Sequence, residues 1–231
     1  MNGWIVYDQH HCRVLIKFMF LQTDNQIKMK AIILHLTKHE NNTMKKWFLL
    51  TAGLLMLNSL MAQTKLPPLD KSPMDMAYCP NNYPVLKIQD KITEPLIGRV
   101  IYSRPQKNGR TVFGELVEYN KVWRLGANEA TELELYKDVR INGKKVKKGR
   151  YTLYAICTEA KWTIILNKET DTWGAFKYDE TKDVLRVDVE VQKQTDITEA
   201  FTMVFDKSTT GANLIMAWDN VRVSLPVTFN Q

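Results

Sequence analysis

The feature that most constrains this chain is an alternation of apolar and polar residues with a period of two, which begins near residue 97. In one run, Leu185, Val187 and Val189 alternate with charged residues. Successive side chains of a β-strand point to opposite faces, so this pattern predicts a strand with one buried face and one solvated face. The same alternation recurs at 201–205, 214–218 and 221–225.

Turn signals and apolar runs complete the fold prediction. Asn142-Gly143 is a strong hairpin signal, and Asp219-Asn220 predicts a second tight hairpin between the last two strands. The runs at 151–156 and 162–166 are apolar on both faces, which predicts central strands. No segment after residue 63 has a helical period. We therefore predict an all-β fold, a single antiparallel β-sandwich (jelly-roll-like), over residues 97–231.

A proline-rich stretch precedes this domain. Six of the eight prolines fall between positions 67 and 95. Proline donates no hydrogen bond to a sheet and has a fixed φ. Residues 63–96 are therefore predicted to form an extended arm rather than a helix or a central strand.

Further upstream, Met44 is followed by two lysines and by the apolar run 47–62. This pattern predicts a secretory signal peptide at 44–62. Gln63 offers no thiol for lipidation. We expect an exported protein, periplasmic or extracellular and not a lipoprotein, with no stable membrane insertion after cleavage. Residues 1–43 are expected to reflect a start codon assigned too far upstream; the alternative is a genuine extension with the 44–62 run as an internal anchor.

The distribution of histidine and charge excludes several functions. All four histidines precede position 40, so residues 63–231 contain none, which excludes Ser-His-Asp and Cys-His catalysis and zinc held by histidine. We predict no metal and no cofactor. Residues 1–62 hold seven of the 32 Lys and Arg and three of the 25 Asp and Glu, which leaves 25 against 22, a net charge of +3. That balance predicts no nucleic-acid partner.

Two cysteines, Cys79 and Cys157, follow the predicted cleavage site. An oxidising compartment permits a disulfide between them, whereas the apolar strand pattern around Cys157 favours a buried free thiol. The sequence leaves both alternatives open.

Several segments match a known pattern: IGRVIYSRPQKNGRTVFGELVEYNKVWRLGANEAT, GRYTLYAI, KWTIILN, TWGAFKY and DVLRV. With them, the chain closely resembles the bacterial exported proteins grouped as domain of unknown function 2911, over most of residues 70–228. The resemblance implies a secreted, mostly β domain with no established activity. Three positions depart from the usual pattern: Glu118 replaces Pro, Asn120 replaces Gly, and Cys157 stands where Pro is common.

The stretch VWRLGANEAT, 122–131, carries more chemistry than a turn needs. In the structural interpretation, Arg124 and Glu129 form an ion pair across the Gly-Ala step, with Trp123 in the core. We therefore predict that Glu129→Gln lowers the melting temperature, strongly if the pair is buried and hardly at all if it is exposed. In the functional interpretation, Glu129 is a general acid or base, and Arg124 and Asn128 bind an anionic or polyhydroxyl ligand.

Other candidates lie on turns as well. Arg104 and Arg110 flank a turn and are predicted either to bind a carboxylate or phosphate or to form salt bridges. Trp173, next to Gly174, is either a platform that stacks on sugars or part of the core, which is where Trp is usually found. Five cations at 144–150 predict a solvated hairpin edge rather than a nucleic-acid groove.

These features predict an exported, non-enzymatic β-sandwich that binds a small polar or anionic ligand, such as a glycan or a cell-envelope fragment. Its candidate surface comprises Arg104, Arg110, Arg124, Asn128, Glu129 and Trp173. One alternative is a carboxylate-dependent, glycoside-hydrolase-like enzyme with Glu129 as acid/base, which needs a second carboxylate across an open cleft. A second alternative is a structural envelope component, which needs an extended apolar patch.

Overall fold

The alternating segments form strands that pack as two antiparallel sheets. A computed structural model describes residues 46, 47, 50 and 66–229. The strands of this part are β1 Met74–Cys79, β2 Gly98–Ser103, β3 Val122–Trp123, β4 Glu132–Leu135, β5 Val139–Ile141, β6 Lys144–Val146, β7 Gly149–Cys157, β8 Lys161–Asn167, β9 Asp183–Glu190, β10 Gln192–Ser208 and β11 Gly211–Thr228. They are joined by loops, one short helix, α1 (Tyr83–Ile88), and one 3-10 turn (Glu180–Lys182).

The larger sheet has the order β1-β2-β4-β7-β8-β9, and the smaller has the order β10-β11-β5-β6. Strands β3 and β4 follow one another along the same edge of β7, with β3 beside Ala155 and Ile156 and β4 beside 149–152. The predicted antiparallel sandwich is confirmed. The two predicted central strands are β7 and β8, which lie in the interior of the larger sheet.

The core lies between the sheets and takes the apolar half of each alternating run. In β9, Leu185, Val187 and Val189 are buried, while the charged residues between them are exposed. Aromatic rings join the two sheets: Trp123 of β3 stacks on Trp218 of β11, with ring centroids 6.0 Å apart. Burial of one large apolar side chain contributes about 1.5–3 kcal/mol. Every second residue of the alternating runs therefore contacts the core, as the sequence pattern predicts.

One hairpin prediction is confirmed and one is wrong. Ile141 pairs with Lys144 around Asn142-Gly143, as a tight hairpin requires. In contrast, β11 runs unbroken through Asp219-Asn220, and the turn between β10 and β11 falls at 209–210. Asp219 has a φ of 54° and lies where the register of the two strands shifts. A left-handed residue here makes a bulge within one strand rather than a turn between two.

The proline-rich stretch also differs from its prediction. Within the predicted arm, β1 pairs with β2 along its whole length, and α1 follows it. The prolines permit both elements, because Pro73 and Pro80 flank β1 without entering it and Pro84 lies in the first turn of α1. Proline is tolerated in that turn since its missing N–H would have no partner there.

The predictions for the N-terminal region fall largely outside the described residues. Segment 1–43 lies entirely outside them, and of the predicted signal peptide only Lys46, Trp47 and Leu50 lie inside. Within the described part of the chain, no helix has the length and hydropathy to span a membrane.

Candidate functional site

The VWRLGANEAT stretch forms a loop between β3 and β4 that is fixed from the core side. The buried Trp123 donates its indole N–H to the carbonyl of Gly126 at 3.2 Å. Leu125 is fully buried with a φ of 53°, a left-handed conformation that is rare for a bulky side chain. The amide of Thr131 donates to the carbonyl of Arg124 at 3.1 Å. The backbone path of this loop is therefore held by the core and by its own hydrogen bonds.

A second segment, 168–182 between β8 and β9, is fastened to strand β7. Three side chains of β7, spaced two residues apart on the face away from the core, bond to it. Their partners are as follows: Arg150 bonds to Asp171, Thr152 to the carbonyl of Glu169, and Tyr154 to the hydroxyl of Thr172. Tyr154 also packs its ring edge-on against Tyr178 at 5.1 Å. This segment therefore lies across the outer face of the larger sheet.

The two segments meet through their backbones. Two hydrogen bonds of 2.9 Å join them, from the amide of Gly174 to the carbonyl of Asn128 and from the amide of Ala130 to the carbonyl of Thr172. Between these bonds, Glu129 and Trp173 form a β-bridge. Three of the six predicted surface residues, Asn128, Glu129 and Trp173, are thus brought together.

Two aromatic side chains project from this junction. Trp173 is 61% exposed and Phe176 is 84% exposed. Gly174 has a φ of 68°, and a Cβ on it would lie 2.7 Å from the Phe176 ring, so glycine allows that ring to lie against the backbone. A core position for Trp173 is therefore wrong: its backbone is held in the β-bridge with Glu129, and its side chain is exposed. We call Asn128, Glu129, Trp173 and Phe176 the aromatic corner.

The predicted ion pair between Arg124 and Glu129 is not formed. Glu129 is exposed, Arg124 is half-buried, and neither has an ion-pair partner among the described residues. Alternation along β3 places Arg124 on the same outer face as Val122, beside β7. Glu129 instead extends from the bridge with Trp173 into solvent. Sequence spacing alone does not fix side-chain direction in a loop with a left-handed residue.

The guanidinium of Arg124 has no hydrogen-bond or ion-pair partner among the described residues. Its Nε atom is completely buried and has no hydrogen-bond partner in the described chain. Burial lowers the pKa of Arg124, and no acidic group in the described structure offsets that effect. A buried polar group without a partner is uncommon in folded proteins and calls for an explanation.

Arg104 and Arg110 are engaged differently. The guanidinium of Arg104 donates to Asp75 at 3.0 Å, to the Thr202 hydroxyl at 2.8 Å and to the Phe201 carbonyl at 3.2 Å. Arg110 donates to two carbonyls of its own turn, those of Gln106 and Lys107. No hydrogen bond or ion pair of the described residues links either arginine to the aromatic corner. The salt-bridge alternative therefore describes Arg104.

A comparison with known families covers both segments of the corner. Residues 85–227 match the family described as "Protein of unknown function (DUF2911)". The chain belongs to this family. The sequence resemblance is thereby confirmed, and the DUF2911 range includes the whole aromatic corner but not β1. No curated protein and no solved structure matches the chain significantly.

Two clefts open elsewhere on the DUF2911 sandwich. One, of about 270 Å³, is lined mainly by residues of β1 and of the β1–α1 turn, together with Tyr102 and Met203. The other, of about 210 Å³, lies between Cys79, Lys207 and Phe229. Neither is lined by any of the six predicted residues. The sequence indicates neither cleft, because its prolines predict an extended arm where β1 forms. Neither cleft is lined by Glu129, around which a glycoside hydrolase would need one.

The other reactive groups of the DUF2911 chain have structural surroundings. Cys79 and Cys157 are buried and free, so the structure contains two thiols and no bridge between them. Burial raises the pKa of Cys79 to about 12, which keeps it protonated and unreactive. Lys147, in the predicted cationic hairpin, pairs with Asp138 at 2.9 Å. No group of three or more His, Cys, Asp or Glu in the described part of the chain is arranged to hold a metal ion.

Proposed function

We propose that this DUF2911 protein is exported and that its sandwich is a non-enzymatic binding module for a polar ligand, such as a glycan or a cell-envelope fragment. The aromatic corner is the binding surface in this proposal. The observation that carries it is the 61% exposure of Trp173 on a backbone fixed by hydrogen bonds to a neighbouring loop. The signal-peptide pattern at 44–62 supports export.

The exposure of two aromatic rings does not stabilise the fold. Burying a large apolar side chain stabilises the folded state by about 1.5–3 kcal/mol. Trp173 and Phe176 are mostly exposed and do not contribute this free energy in full. An aromatic ring offers a large apolar face and has only two rotatable bonds to order on binding. Because the backbone beneath the rings is already fixed, a ligand meets a surface that needs little further ordering.

Polar groups beside the rings suit a ligand rich in hydroxyl groups. The Asn128 side chain both donates and accepts hydrogen bonds, and the Glu129 carboxylate accepts them. Glu129 has no ion-pair partner among the described residues and is exposed, so it is free to accept from a ligand. Sugar rings present hydroxyls at their edges and C–H groups on their faces, which matches this combination of Asn, Glu and Trp.

The test is a binding titration of the protein recovered from the periplasm or medium of its host. Neutral oligosaccharides, acidic oligosaccharides and peptidoglycan fragments form the panel. We expect at least one to bind, and Trp173→Ala to weaken that binding by about tenfold or more, as loss of an aromatic anchor does. Ile88→Ala is the matched control, because Ile88 is a similarly exposed apolar residue on α1, and it should bind like the wild type.

Three outcomes would replace the proposal. Absence of the protein from the exported fractions would contradict export. Failure of the whole panel to bind, or equal binding by Trp173→Ala, would remove the aromatic corner as the site. Release of new reducing ends from a bound oligosaccharide, lost in Glu129→Gln, would favour the glycoside-hydrolase alternative instead.

A further inference from the structure

We infer that the ligand of the aromatic corner carries a carboxylate group that Arg124 binds, so that the ligand class is an acidic saccharide. This inference rests on the proposed function and narrows its ligand to one chemical class, with Arg124 as the residue that recognises it.

Arg124 is one of two arginines in the described residues whose Nε is buried without a hydrogen-bond partner. Eight arginines lie in the described residues, and six of them donate hydrogen bonds to described groups: Arg99, Arg104, Arg110, Arg140, Arg150 and Arg186. Arg124 and Arg222 are the two with a buried, unpartnered Nε in that part of the chain. A half-buried charge is unfavourable unless something pairs with it. For Arg124, that partner is missing from the described chain.

A second observation is the place of Arg124 relative to the exposed rings. Val122 pairs with Ile156 and Trp123 with Ala155; continued by one residue, this antiparallel register sets Arg124 opposite Tyr154, which belongs to the outer cluster together with Val122. The Tyr154 hydroxyl is 3.1 Å from the hydroxyl of Thr172, which immediately precedes Trp173. Arg124, which has no hydrogen-bond partner among the described residues, and the exposed Trp173 are therefore both placed on the outer face of the larger sheet. Arg222 lies on β11 of the smaller sheet, away from this junction.

The chemistry of a guanidinium limits which anion Arg124 would bind. A guanidinium presents a planar fork of donors that fits the two oxygens of a carboxylate. A phosphate monoester carries a charge of about −1.5 to −2 near neutral pH, which one guanidinium does not neutralise. A single arginine with no acidic partner among the described residues therefore suits a ligand group with one negative charge, such as a carboxylate. A sugar ring attached to that carboxylate would stack on Trp173.

The experiment compares acidic oligosaccharides with their methyl esters, which have the same shape and no charge. The probes are trimers of galacturonate and mannuronate and a hyaluronan tetramer, each titrated against the full-length protein in both forms. We expect at least one acid to bind about tenfold or more tightly than its ester, as hydrogen bonds to a charged group imply. In Arg124→Met that preference should shrink to about twofold or less, while Arg222→Met, the matched arginine, should keep it.

The outcomes separate this inference from the proposed function. Binding of neutral oligosaccharides that needs Trp173 but shows no preference for the acids would overturn the inference and leave the binding module standing. An equal loss in Arg222→Met would show attraction to overall charge rather than a site at Arg124. Preference for mannose 6-phosphate over all the carboxylates would overturn the assignment of a carboxylate. If neither acids nor neutral sugars bind, both proposals fail.

Discussion

The 104–110 loop and the 124–130 loop look alike in sequence and are used in opposite ways. Each carries arginine in a turn that follows a strand of the larger sheet. In the first loop, side chains fasten the turn: Arg104 bonds to three groups, and Lys107 pairs with Asp219 at 2.5 Å. In the second loop, backbone hydrogen bonds and buried apolar residues do the fastening. Its polar side chains are left available, and that availability marks it as the candidate site.

The difference arises from what each loop lies against. The first loop contacts the smaller sheet, since the amide of Lys107 donates to the carbonyl of Glu199 at 2.8 Å and Gln106 bridges to Ala200. It therefore meets the unpaired edge of β10, where polar side chains find partners. The second loop meets another loop, which it contacts through two backbone bonds, and the core holds its other side. A polar side chain in a loop forms structural hydrogen bonds where the loop packs against a strand edge with free partners, and stays free to bind a ligand where it does not.

The largest effect that follows from this comparison is on stability through Arg104. We expect Arg104→Ala to lower the free energy of unfolding by about 2–3 kcal/mol, because it removes hydrogen bonds that join β1 and β2 to β10. The partly exposed ion pair with Asp75 adds little to that figure. Thermal melts should show a decrease of about 5–10 °C. Arg110→Ala, whose bonds stay within one exposed turn, is the control and should change the melting temperature by about 2 °C or less.

The second effect has the opposite sign. We expect Arg124→Met to raise the free energy of unfolding by about 1 kcal/mol, because Met keeps the apolar part of the side chain and removes an unpaired, half-buried charge. The melting temperature should rise by about 2–4 °C. Arg222→Met should move in the same direction, since its Nε is also buried without a partner in the described chain. A decrease in Arg124→Met would mean that the guanidinium stabilises the free protein.

Whether the sequence predicts the structure around a residue depends on which physical effect determines that structure. The alternation at Leu185, Val187 and Val189 predicted a strand correctly, because core burial fixes it locally. Asp219-Asn220 predicts a hairpin because Asp and Asn favour turns, but a bulge uses the same left-handed conformation. The exposure of Trp173 depends on a bridge to Glu129, a residue distant in sequence, and no local pattern encodes that contact.

The candidate site shows the same limit. The chemistry of Asn128, Glu129 and Trp173 marks them as candidates, and the structure brings them together through backbone bonds that the sequence does not reveal. Spacing predicts that Arg124 pairs with Glu129, and this is wrong, because Leu125 turns the chain with a φ of 53°. Side-chain chemistry is readable from sequence, whereas side-chain direction in a loop depends on tertiary contacts.

The smallest effect concerns Glu129. We expect Glu129→Gln to melt within about 2 °C of the wild type, because the residue is exposed, lacks an ion-pair partner among the described residues, and keeps its backbone bridge to Trp173. The matched control is Glu132→Gln: the Glu132 carboxylate accepts from Arg150 and from the amide of Asp171, so its loss should lower the melting temperature more. If Glu129→Gln destabilises the protein as much as Glu132→Gln does, the carboxylate has a partner that holds the fold. The second loop would then be fastened by its side chains, as the first loop is.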